Sequence, residues 1–163
     1  MTASPSAPDE RSSTSSERSA EGRPPEGPLD RCAREIRALH RFFEGWLSGR
    51  LSDTGEAFRR LDRALAADFS LIHPSGEERS RTDIVAGLRR AHGQRPGLTI
   101  EIRDVRLRAA GDELLAATYE EWQFDEETND GRLSTVLFAR DEEGSNGLRW
   151  VHVHETWLQT PGE

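Results

Sequence analysis

The sequence contains no lysine: all 22 of its basic residues are arginine, set against 30 acids for a formal net charge of -8. That balance disfavours a basic groove able to neutralise a nucleic-acid backbone. No arginine run is interleaved with aromatic residues, so no nucleic-acid partner is expected. The all-arginine usage reads as a GC-rich coding sequence rather than as adaptation to salt. Cysteine occurs once, at Cys32, which excludes an intrachain disulfide. Cys32 falls on an apolar helical position and reads as a small buried hydrophobe, not a nucleophile. No stretch approaches the roughly 20 apolar residues of a membrane span, and the opening MTASPSAPDERSS lacks the apolar centre of a signal peptide. No membrane partner is expected, and a cytoplasmic location is the default. No Gly-rich phosphate loop occurs, so no nucleotide or other cofactor is expected. Tyrosine also occurs once, at Tyr119.

A length of 163 residues allows one domain and a tail. Residues 1–28 are rich in Ser, Pro, Glu, Arg and Gly, with little to bury, and are expected to stay disordered. The folded domain is assigned to residues 29–160. Leu29, Cys32, Ile36, Leu39, Phe43 and Trp46 recur at helical spacing, with Arg31, Arg34, Glu35, Arg41 and Glu44 opposite. This predicts an amphipathic helix ending at Gly49, with His40 on the boundary of its apolar stripe. A second helix starts near Thr54, capped by Asp53 or Thr54, with Ala57, Phe58, Leu61, Ala64 and Leu65 inward. A short strand at Phe69–His73 and an extended piece at Glu77–Arg79 follow. Ser80 and Asp83 have the spacing of a capping box for a third helix, Thr82 to Ala91.

The remainder alternates. Strands are predicted at Leu98–Ala109, Glu113–Phe124, Arg132–Arg140 and Leu148–Leu158, separated in part by the acidic stretches DEETNDG and Asp141–Gly147. Within the first, Ile100 and Ile102 share one parity and Val105 and Leu107 the other, which places a bulge near Arg103 or Asp104. Helices followed by a meander indicate an α+β fold. In a regular final strand, Trp150, His152, His154 and Thr156 share one face, with Val151, Val153, Glu155 and Trp157 on the other. His152 and His154 are therefore the candidate catalytic pair, as proton-transfer groups near neutral pH. His73, Tyr119, Glu121 and Trp150 are the candidate ligand-binding residues, the aromatics supplying bulk with a polar handle. The HVHE run invites a metal reading, but Glu155 points away from the histidines and a third ligand would have to come from His73 or Glu121. No metal is expected.

Three stretches, ALAADFSLIHPSG (64–76), RTDIVAGL (81–88) and WVHVHETWL (150–158), together with this element order, resemble the nuclear transport factor 2-like superfamily, in particular its SnoaL-like and ketosteroid-isomerase-like groups. The resemblance implies a cone of three helices on a strongly curved mixed or antiparallel sheet, an α+β roll whose open end leads to an apolar pocket. It also implies a homodimer through the outer sheet face. Members are isomerases, cyclases, dehydratases, hydrolases and non-catalytic binding or assembly modules. An apolar small molecule is thus the expected partner, with a protein-assembly module as the alternative.

Overall fold

The computed structural model describes residues 24–159. The proposed tail lies outside the described residues as far as residue 23. Helix α1 (Pro28–Ser48) starts with proline at its first position, where a missing N–H costs nothing. It ends at Gly49, whose φ of 81° is the left-handed conformation that glycine adopts without strain. Helix α2 (Gly55–Ala64) is capped by Thr54, whose hydroxyl accepts the Ala57 N–H at 3.2 Å. It passes directly into strand β1 (Leu65–Ile72), which starts earlier than the sequence pattern predicts. Strand β2 (Glu78–Ser80) turns back on β1, and Ser80 then caps helix α3 (Arg81–Arg90) through the full capping box with Asp83.

Strands β3 (Thr99–Ala110), β4 (Leu114–Phe124), β5 (Asn129–Ser145) and β6 (Leu148–Gln159) form the meander. The sheet runs β2-β1-β6-β5-β4-β3, with β1 parallel to β6 and the other pairs antiparallel. The expected bulge in β3 is present: the register with β4 shifts between Arg103 and Arg106, and Asp104 has a φ of 52°. The acidic stretches are shorter as loops than the sequence suggests. Asp125 accepts the N–H groups of Glu127 and Thr128 and so closes the first turn within four residues. The second is a tight hairpin on Asn146 and Gly147, with φ of 55° and 71°, the two-residue geometry that an Asn-Gly pair favours.

The core lies between α1, α2 and the concave face of the sheet. Cys32, Ile36, Phe58, Leu61, Leu115 and Phe138 are fully buried there. Burial drives the Cys32 thiol up to about 11, which leaves it protonated and inert. Glu35, expected on the solvent face of α1, is also fully buried. Its carboxylate is enclosed at the narrow end of the cone. Arg60 of α2 donates to both oxygens, Asn146 donates to Oε1 at 3.2 Å, and the Trp150 indole N–H donates to Oε2 at 3.2 Å. These donors tie α1, α2, the β5–β6 hairpin and β6 to one group. Glu35→Ala is expected to lower unfolding free energy by about 3 kcal/mol, because Arg60 is left without its buried partner. Urea denaturation checks this; a loss below about 1 kcal/mol would mean that Glu35 is dispensable.

Candidate ligand-binding site

Strand register sets side chains in rows on the concave face. Ile102, Glu121, Arg132 and Trp157 align in one row, and Tyr119, Ser134 and Glu155 in the next. Deeper rows are apolar: Ala117, Val136 and Val153, then Leu115, Phe138 and Trp150. Above them, between the sheet and α3, lies a cavity of about 870 Å³, within the range of small-molecule sites. Its wall is apolar, with Phe43, Leu61, Phe69, Ile84 and Leu88 among its residues, and its floor carries His40, Tyr119, Glu121, Arg132 and Glu155. No residue of α3 is fully buried, so one wall is lightly packed.

His40 sits at the centre of the floor and is only 4% exposed. Its Nδ1 lies 2.7 Å from the Ile36 carbonyl and its Nε2 3.1 Å from Glu121 Oε2. A carbonyl and a carboxylate only accept, so both ring nitrogens must donate and the ring is an imidazolium. Burial alone would favour the neutral ring, but the Glu121 charge and hydrogen bond outweigh it and hold His40 above its ordinary value. Burial likewise opposes the Glu121 carboxylate, yet His40, with Arg132 behind it, holds that group down at about 2. The second Glu121 oxygen accepts the Gln123 amide at 2.6 Å, and Gln123 in turn accepts from Arg95. On β6, Glu155 Oε2 accepts from Arg132 at 2.8 Å. Burial raises the Glu155 carboxyl, Arg132 opposes the rise and Glu121 adds to it. Tyr119 is 2% exposed, and burial followed by the two carboxylates keeps its phenol well above the ordinary range.

Tyr119, Glu121 and Trp150 therefore line the cavity, although the Trp150 N–H is committed to Glu35. The histidines singled out by the sequence do not. Leu137 pairs with His152 while its neighbour Phe138 pairs with Trp150, so Val151 is an extra residue in β6. This bulge reverses the parity beyond Trp150. Val153 and Glu155 face the cavity, whereas His154 is exposed on the convex face. His152 is half-buried on that same face, with Nδ1 2.8 Å from Ser70 Oγ. The expected face of Trp150, His152 and His154 is thus divided, and neither histidine reaches the floor. His73 stands at the β1–β2 turn, outside the cavity lining. Its Nδ1 accepts the Ser75 N–H at 3.1 Å and its ring meets the edge of Trp157. Burial and the nearby Arg79 and Arg132 favour its neutral form.

The residues missed by sequence reasoning are His40, Arg132 and Glu155. His40 had a signal: it lies four residues after Ile36 and three before Phe43, inside the apolar stripe rather than beside it.

The sucrose-6-phosphate phosphohydrolase C-terminal family matches residues 32–159. The chain belongs to that family. It is 28% identical over 130 residues to sucrose-phosphatase 1 of Nicotiana tabacum, covering 78% of this chain but 31% of that protein. The chain thus spans about a third of the length of the curated relatives it matches. Among solved structures, an NTF-2 like protein of unknown function from Pseudomonas aeruginosa is 35% identical, with a TM-score of 0.72 over 79% of this chain and 99% of its own. The CaMKII hub of S. rosetta shares the fold at 14% identity and a TM-score of 0.63, over 82% of this chain and 99% of its own. The superfamily inferred from the three sequence stretches is the one that the Pseudomonas aeruginosa protein's name carries.

The ion pair carries a pH signature. Glu121, depressed below its ordinary 4.5, contributes stability above that value and loses it as pH falls through about 2. His40, raised above 6.5, contributes fully below that value and loses it as pH rises through its folded value. The pair is therefore expected to stabilise most between pH 4.5 and 6.5. His40→Leu should cost about 3–5 kcal/mol by stranding Glu121, and the double change with Glu121→Leu should recover most of it. Equal losses in the single and double variants, read from denaturation midpoints, would contradict the pairing.

Proposed function

We propose that this domain binds a small molecule in the cone, with an apolar body against the helices and a polar group on the floor. The observation that carries the reading is the composition of the cavity: a mostly apolar wall over one buried cluster of acid and base. Binding without chemistry is favoured over catalysis. The two candidate catalytic histidines lie outside the cavity, and both ring nitrogens of His40 are committed to Ile36 and Glu121. The match to sucrose-phosphatases over a third of their length fits a domain that accompanies a catalytic unit. Ligand screening by thermal shift tests the proposal. A ligand at about 100 times its Kd should add about 2.7 kcal/mol of stability. Phe69→Ala or Tyr119→Phe should weaken that response, and His152→Ala with His154→Ala should leave it unchanged. A response abolished by the histidine changes but not by the floor and wall changes would sink the proposal.

A second reading, pairing of two copies through the convex sheet face, is favoured by Leu114 and Leu133, which are 51% and 37% exposed there. On this reading Leu133→Arg converts a dimer to a monomer by light scattering, with an unchanged thermal response to ligand. A monomeric parent chain would end it.

A further inference from the structure

The charges that line the cavity cancel. On the floor His40 and Arg132 stand against Glu121 and Glu155, and at the mouth Arg79 and Arg90 stand against Glu77 and Asp83. A guest with a formal charge meets no excess of the opposite sign and loses its hydration on entry. Hydrogen-bonding capacity is not balanced in the same way. His40 and Glu121 are saturated by Ile36, Gln123 and each other. Arg132 is not. It donates to Glu155 at 2.8 Å and reaches Asp130 only at 3.5 Å, and its Nε is buried with no hydrogen-bond partner among the described residues. A buried donor without an acceptor costs free energy that an incoming acceptor recovers. Glu155, on the neighbouring strand, takes a single donor among the described residues, on Oε2. The floor thus sets an unmet donor beside an acceptor with capacity left.

Resting on the reading of the cavity as a ligand site, we propose that its guest is a neutral amphipathic carboxamide, whose carbonyl oxygen accepts the Arg132 Nε–H, whose amide N–H donates to Glu155, and whose apolar body lies against Leu61, Phe69 and Leu88. The Arg132 side chain lines the cavity, is 14% exposed, rests over the Trp157 ring and holds Asp130 only loosely. A slight turn of that side chain brings its Nε–H to the guest. A carboxylate on the same guanidinium would add a third negative charge to the floor, where burial and Glu121 already raise the Glu155 carboxyl. An ammonium would serve Glu155 and leave the Nε–H unmet. A ketone would serve Arg132 and leave the Glu155 capacity unused. An amide carries acceptor and donor side by side with no net charge, and so meets both.

Titration calorimetry on the full chain with cyclohexanecarboxamide, cyclohexyl methyl ketone, cyclohexanecarboxylate and cyclohexylmethylamine tests the proposal with ligands of similar shape and different polar heads. The carboxamide is expected to bind about tenfold more tightly than the ketone, the gain of one hydrogen bond to a charged group, and the carboxylate and the amine more weakly still. Arg132→Lys keeps a positive charge beside Glu155 but places carbon where Nε stands. It should weaken the carboxamide about tenfold, with thermal unfolding showing that the variant is folded. The ligand series on the unsubstituted chain decides the matter if the variant is not. Ketone, carboxylate or amine binding as tightly as the carboxamide overturns the proposal and leaves the ligand site standing, as does a carboxamide affinity unchanged in a folded Arg132→Lys chain. Failure of all four to bind overturns both.

Discussion

The ion pair between His40 and Glu121 is the interaction on which the rest of the structure depends. It joins the first helix to the concave sheet face through opposite charges on both partners, and it does so on the floor of the cavity. Apolar side chains in those two positions would let α1 settle further onto β4, because nothing but contact distance would limit the approach. A buried ion pair is costly to desolvate and is tolerated only when its remaining hydrogen-bonding positions are filled. Here they are: the Ile36 carbonyl takes the second imidazole N–H, and Gln123 supplies the second Glu121 oxygen. The pair therefore fixes the separation of helix and sheet while leaving the space above it free for a guest.

Curvature supplies the rest of the hollow. The bulge at Asp104 bends β3 at the edge of the sheet, and the bulge at Val151 bends β6 near its middle. The two differ in how plainly the sequence declares them. In β3 the apolar residues change parity in the chain itself, so Ile102 followed by Val105 and Leu107 reveals an extra residue. In β6 both parities carry large or apolar groups, from Trp150 and Val151 to Val153 and Trp157. A one-residue slip leaves the pattern looking equally regular. The element order, the capped third helix and the curved sheet were thus legible, whereas the face presented by each residue after Trp150 was not.

The same physics explains which site residues could be read. Tyr119 and Glu121 lie on β4, whose pairing with β5 runs without a shift from Leu114 to Phe124, so period-two reasoning places them correctly. His152 and His154 follow a bulge and were placed on the wrong face. His40 was misjudged for a different reason. A titratable side chain inside an apolar helical stripe looks like a boundary until its partner is known, and Glu121 is 81 residues away in the chain. Glu35 misled in the same manner, with Arg60, Asn146 and Trp150 converging on it from separate elements. Buried charge is legible only in pairs, and the pairing is tertiary.

Two clusters of buried charge then serve opposite ends of the cone. At the narrow end, Glu35 receives donors from three other residues and nothing further can approach it, so its role is to close the structure. At the wide end, Glu155 has one donor among the described residues and a cavity in front of it. The difference is one of saturation, not of residue type. A buried carboxylate whose acceptors are filled holds a fold together, and one with an open acceptor in a hollow offers binding energy to whatever can donate there. The lightly packed α3 wall extends the contrast. The element that borders the cavity is the one helix with no fully buried residue among those described, while Ile84, Val85 and Leu88 still pack against the core from it.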